Sequence, residues 1–186
     1  DLSYLEELTI EANPGDLDEE KIAVLKDSPV NRVSLGVQTF NDRMLKQIGR
    51  SHLEKDIYEN IANLKKAGFD NINVDLMFSV PGQSMSKWAE TIDEVVKLSP
   101  EHISFYSLQI EEGTPFYDEY LNGSLDFVTE ENDRAMYLKA LEVFGKAGYE
   151  HYEISNVAKP GFQCRHNLKY WSFEDYLGMG ETASSF

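Results

Sequence analysis

The sequence is poor in cysteine, in positive charge and in long apolar runs. Its single cysteine, Cys164, excludes an internal disulfide and fits a reducing cytoplasm. It also excludes an iron–sulfur cluster held by this chain alone, because such clusters take several thiolates. Lys and Arg number 17 against 33 Asp and Glu, a net charge of −16. A chain this acidic has no phosphate-neutralising footprint, which argues against nucleic acid as a direct partner and reads as a solvating surface. The absence of any run of about 18 apolar residues argues against a transmembrane segment. No signal peptide is seen. The sequence opens on Asp1 and stops at Phe186, soon after YLGMG (176–180), and so reads as a segment of a longer protein.

What is present is a chain able to form a core. It has 186 residues, 41% of them hydrophobic, enough for one good-sized domain. Strand-like and helix-like runs alternate. LTIEANP (8–14), RVSLGVQTF (32–40), NINVDLMFSV (71–80) and HISFYSLQI (102–110) are rich in β-branched and aromatic residues. YEHYEIS (149–155) is a weaker fifth run. Between them, Asp16 or Asp18 can cap LDEEKIAVLKD, and Asn41 can cap NDRMLKQI. The segment 52–69 places Ile57, Ile61 and Leu64 at helical spacing and stops at Gly68. SMSKWAETIDEVVKL and EENDRAMYLKALEVFGKAGY repeat that design. The alternation predicts an α/β fold with parallel strands and helices over a face. There are too few units for an eight-fold barrel, but enough for most of a six-unit open barrel or part of a doubly wound sheet.

In such folds chemistry gathers at the carboxyl ends of strands. There the sequence offers Glu11, Gln38, Asp75, Tyr106 and Gln109. Arg50 lies in a β-to-α excursion on the same rim. Carboxylates and amides grip ribose hydroxyls, and arginine pairs bidentately with a carboxylate. Glu11, Gln38, Arg50 and Asp75 therefore suit a zwitterionic nucleoside.

A second candidate is CRHNLKYW (164–171). Neutral imidazole is a common axial ligand for heme iron, so His166 can serve there. Tyr170 and Trp171 offer faces for a porphyrin, and Arg165 can pair with a propionate. The plainer reading is an aromatic corner of the core with a histidine attached. His52 lies near the rim, His102 starts a strand and reads as structural, and His151 has no assigned role.

EANP, SLGVQTF, IGRSH, NVDLMFSVPGQ, SFYSLQIEEGTPF, YEISNVAKPG, HNLKYW and YLGMG occur in this order. Together they resemble radical S-adenosylmethionine (SAM) proteins related to oxygen-independent coproporphyrinogen III oxidase. HNLKYW is similar to the HNxxYW phrase of the heme-chaperone branch. The resemblance implies a partial (β/α) barrel over residues 1–160, truncated of its first cluster-binding units. Residues 161–186 would begin a C-terminal segment carrying HNxxYW. It further implies SAM contacts by Glu11, Gln38, Arg50, Asp75 and Tyr106, a heme contact by His166, and a 4Fe-4S cluster on an upstream CxxxCxxC loop. That loop is absent, so these residues alone are expected to be inactive. Three functions stay open. One is a cytoplasmic heme chaperone delivering heme to an acceptor protein. The second is an oxygen-independent coproporphyrinogen III dehydrogenase acting on porphyrinogen propionates. The third is a radical SAM protein acting on RNA, which the charge opposes.

Overall fold

Four runs of β-branched and apolar residues become the adjacent parallel strands of one sheet. In the computed structural model, which describes residues 4–186, these are β1 (Thr9–Ala12), β2 (Arg32–Gln38), β3 (Ile72–Phe78) and β4 (His102–Ser107). The intervening helices are α1 (Glu19–Lys26), α2 (Asp42–Gln47), α3 (Glu54–Lys66) and α4 (Met85–Leu98). After β4 come α5 (Pro115–Leu121) and α6 (Glu130–Lys146). Asp18, rather than Asp16, caps α1 by accepting from the Lys21 amide. Asn41 caps α2, accepting from the Met44 amide at 3.1 Å. Gly68 and Gly148 adopt φ of +87° and +90°, the left-handed turn that ends α3 and α6 and returns the chain to the sheet.

The fifth run does not continue the parallel series. β5 (Glu150–Glu153) turns through Ile154 and Ser155 into β6 (Asn156–Ala158), which was not expected from sequence. A two-residue connection cannot make a parallel crossover, so the pair is antiparallel. β6 also pairs antiparallel with β4, giving the order β1-β2-β3-β4-β6-β5. The hairpin thus occupies the sheet edge where another β/α unit was anticipated. A seventh helix, α7 (Arg165–Trp171), follows.

Strand alternation sorts the two faces of the sheet. Val33, Leu35, Val74, Leu76, Ile103 and Phe105 point to one side and are fully buried. Ile57, Ile61 and Leu64 of α3, Trp88 and Ile92 of α4, and Ala140 and Phe144 of α6 cover that side. Trp88 joins two of these helices, its indole N–H donating to the Met136 carbonyl at 2.8 Å while its ring packs 5.4 Å from Phe78. Trp88→Ala is expected to lower stability by about 3–5 kcal/mol, because it leaves a large cavity between the helices and the sheet. Urea denaturation followed by circular dichroism measures this. A loss of under about 1 kcal/mol would mean the helices close over the gap.

Candidate functional site

The other sheet face is polar, set by the same alternation. Thr9 and Glu11 of β1 stand opposite Arg32 and Ser34 of β2. Asn73, Asp75 and Met77 of β3 stand opposite His102, Ser104 and Tyr106 of β4. Deep in this face the Asn73 side chain is 1% exposed, and all its hydrogen-bonding capacity is used. Its Nδ2 donates to Ser34 Oγ and to Asp75 Oδ1, both at 2.7 Å. Its Oδ1 faces His102 Nδ1 at 2.5 Å and accepts from Ser104 Oγ at 3.2 Å. A carboxylate only accepts, so the amide nitrogen must face Asp75, and His102 must carry its proton on Nδ1. His102 Nε2 then accepts from the Tyr152 hydroxyl at 2.7 Å. The ring is neutral. Burial and then the nearby Arg32 charge push its pKa down to about 3. Burial pushes the Asp75 carboxyl up, against hydrogen bonds from Asn73 and Ser34, while the charge of Glu11 adds to the rise.

Nearer the carboxyl ends of the strands lies a second group. Tyr106 donates to Gln38 Oε1 at 3.1 Å, and Arg50 donates to Asn13 Oδ1 at 2.6 Å. Gly36 lies between these two pairs. A Cβ there would meet Asn13 Oδ1 and Gln38 Nε2 at 3.2 Å, so its bare backbone leaves room a side chain would fill. Gln38 itself takes a left-handed φ of 65°, strain retained where the strand opens into the rim. Burial raises the Tyr106 phenol, and the Asp75 charge adds to it. Of the five residues expected to meet SAM, four lie on β1 to β4 and Arg50 lies in the connection between α2 and α3. Glu11 and Asp75 line a pocket of about 490 Å³, while Gln38, Arg50 and Tyr106 stand at the strand ends. His52 is not on this face. It is buried, 3.3 Å from the Val37 carbonyl. Gln109 and Arg50 border a separate, more apolar pocket with Met77 and Phe116.

CRHNLKYW is not a corner of the core. It forms the short helix α7, which buries no side chain. Tyr170 and Trp171 are 43% and 51% exposed. The reason is polar anchoring. Trp171 donates to Glu153 Oε2 at 3.2 Å, and Asn167 Nδ2 reaches the Tyr152 hydroxyl at 3.5 Å. Arg165 pairs with Glu6. His166 is exposed, its Nε2 3.2 Å from the Tyr170 hydroxyl and its ring edge-on to Tyr170 at 4.7 Å. It lines the same pocket as Glu11 and Asp75. Cys164 is buried, and burial holds its thiol above the ordinary value. No group of three His, Cys, Asp or Glu among the described residues is placed to hold a metal ion, so the residues of this chain do not fit a 4Fe-4S cluster.

Sequence reading missed Asn13, Ser34, Asn73, Ser104 and Tyr152. The signal was available for three of them. Alternate positions in RVSLGVQ, INVD and HISFYS are polar, the mark of strands with one apolar and one polar face.

A parallel-rich α/β sheet with polar groups on one face and a cation near the strand ends defines a partial β/α barrel with a candidate site at its strand ends. Comparison with known proteins makes the assignment specific. The family model described as the radical SAM superfamily matches residues 2–95, and the chain belongs to that superfamily. A protein named heme chaperone HemW from Lactococcus lactis is 46% identical over 186 residues, covering 100% of this chain and 49% of its own length. The Bacillus subtilis protein of that name is 42% identical over 184 residues, covering 99% of this chain and 48% of its own length. The chain thus spans about half the length of the curated relatives it matches. The solved structure of coproporphyrinogen III oxidase (HemN) from Escherichia coli superposes with a TM-score of 0.77. That likeness covers 96% of this chain and 44% of the oxidase at 21% identity, and it shows the fold.

His102 generates a pH prediction. Its folded pKa lies below the ordinary 6.5, so the unfolded chain takes up the proton first as pH falls. Its contribution to stability is complete above about pH 6.5 and declines toward pH 3, by up to about 1.4 kcal/mol per pH unit. Asp75, shifted the other way, offsets part of this below its folded value. Urea midpoints at pH 7, 6 and 5 should fall for the wild type and fall less for His102→Gln. Equal slopes would contradict a neutral His102.

Proposed function

We propose that this chain is the core half-barrel of a radical SAM heme chaperone, which binds heme through His166 and passes it to an acceptor protein in the cytoplasm. The observation that carries the reading is similarity to proteins named heme chaperone HemW, 36–46% identical over 94–100% of this chain. No helix among the described residues is long and apolar enough to cross a membrane.

The chemistry of the concave face supports a SAM site. Arg50 suits the methionine carboxylate by charge-assisted pairing. Glu11 suits a ribose diol, with Asp75 and the hydrogen-bonded Gln38–Tyr106 pair lining the approach. The open backbone at Gly36 leaves the space between Gln38 and Arg50 for the ligand. SAM held here would be bound and oriented by these residues, while any radical chemistry would need a cluster that the residues of this chain do not hold. His166 supports the heme reading because its imidazole is exposed and flanked by the Tyr170 and Tyr176 rings, at 4.7 and 6.3 Å. An exposed aromatic and aliphatic surface continues through Leu168, Trp171 and Phe173 and suits a porphyrin face.

The test uses the full-length protein. Heme titrated against wild type should give a histidine-ligated absorption spectrum that His166→Ala loses. Arg50→Ala should weaken SAM about tenfold to a hundredfold, the cost of one charge-assisted contact, and leave heme binding alone. Coproporphyrinogen III with SAM and reductant should give no decarboxylated product. Product formation would instead favour the dehydrogenase, and an unchanged heme spectrum in His166→Ala would remove His166 from the site.

A further inference from the structure

Helix α7 has no cap of its own. Cys164, at its N-cap position, makes no side-chain bond to the helix, and the helix buries no side chain. Its placement therefore rests on polar ties rather than on apolar packing. On one side the Tyr152 hydroxyl accepts from the Cys164 amide at 3.3 Å and from Asn167 Nδ2 at 3.5 Å. On the other side stands Glu7, 158 residues from Arg165 in sequence. Its Oε2 accepts from the Arg165 amide at 3.0 Å. Its Oε1 accepts from the His166 amide at 3.4 Å and from the Cys164 thiol at 3.5 Å. These are the donors a helix leaves free in its first turn, and a carboxylate is the acceptor that suits them.

We propose that Glu7 is the positioning residue for His166. It caps α7 from a distant part of the chain, ties the helix to the segment entering β1, and so holds the imidazole at the mouth of the pocket that Glu11 and Asp75 also line. Glu7 touches no heme in this account. It acts through the backbone of the residue that does. The functional half of the proposal rests on the reading of His166 as a heme ligand. The structural half stands on the contacts themselves, and the two are measured separately.

The experiment compares full-length wild type, Glu7→Ala, Glu7→Gln and His166→Ala. Peptide-mapped alkylation of Cys164 by iodoacetamide and amide exchange across residues 165–171 report the tie without heme. Both should be about tenfold faster in Glu7→Ala, the size expected for a lost cap opening one helix end. Glu7→Gln keeps a carbonyl acceptor and should recover most of the protection. An unchanged urea midpoint shows that the variants fold. In the heme titration, Glu7→Ala should shift the spectrum away from the histidine-ligated form, as His166→Ala does, and Glu7→Gln should restore it. Wild-type alkylation and exchange in Glu7→Ala would overturn the tie. A wild-type heme spectrum in Glu7→Ala, alongside its loss in His166→Ala, would overturn the positioning role. A wild-type spectrum in His166→Ala would overturn the heme reading instead, leaving the tie to be decided by the thiol and the amides.

Discussion

The Asn73 amide is the constraint on which the concave face depends. Four polar partners on three adjacent strands meet at one buried side chain, and each of its two donors and two acceptor positions is used. A buried amide left half-satisfied costs a few kcal/mol, so the arrangement holds only while β2, β3 and β4 keep their register. That register sets Asp75 opposite Ser104 and Met77 opposite Tyr106. The Asn73 cluster also dictates the His102 tautomer, and through it the direction of the Tyr152 hydroxyl. A chain of hydrogen bonds therefore runs from Asp75 through Asn73, His102 and Tyr152 to the first turn of α7.

This frame explains why the two halves of the site differ. The floor is a hydrogen-bonded network in which hydroxyls, an amide and a neutral imidazole gather around the Asp75 carboxyl. The strand-end rim holds what a static core would avoid. Gln38 has a left-handed backbone, Arg50 carries a charge partnered by the neutral Asn13, and Gly36 leaves space unfilled. Strain and openness thus gather at one end of the sheet, the strand-end rim. The helix bearing His166 is of a third kind, held by Glu7 and Tyr152 over an exposed aromatic surface.

Much of the framework is legible in the amino-acid sequence. The four parallel strands announced themselves by β-branched runs, and their helices by caps and glycine stops at Asn41, Gly68 and Gly148. Glu11 and Asp75 share one pocket, because period-two alternation sets the polar face of the strands, whereas Gln109 borders a separate one. The rest depended on long-range contacts that no local pattern encodes. β6 is only three residues long, and its pairing with β4 follows from a tight turn. Asn73 reads as one polar residue in a strand until Ser34, Asp75, His102 and Ser104 are seen around it. The aromatic content of CRHNLKYW suggested burial, yet polar anchors at Glu7, Tyr152 and Glu153 hold it at the surface. Glu7 had no local signal at all, since its partners lie at the other end of the chain.

A saturated Asn73 fixes a neutral His102, and nitrogen NMR of the histidine rings measures this most directly. The prediction is a His102 signal with a protonated Nδ1 and a bare Nε2 that does not titrate between pH 8 and pH 5, because burial holds its pKa at about 3. A His102 ring that exchanges between tautomers, or titrates near the ordinary 6.5, would contradict the hydrogen-bond order from which the concave face is built.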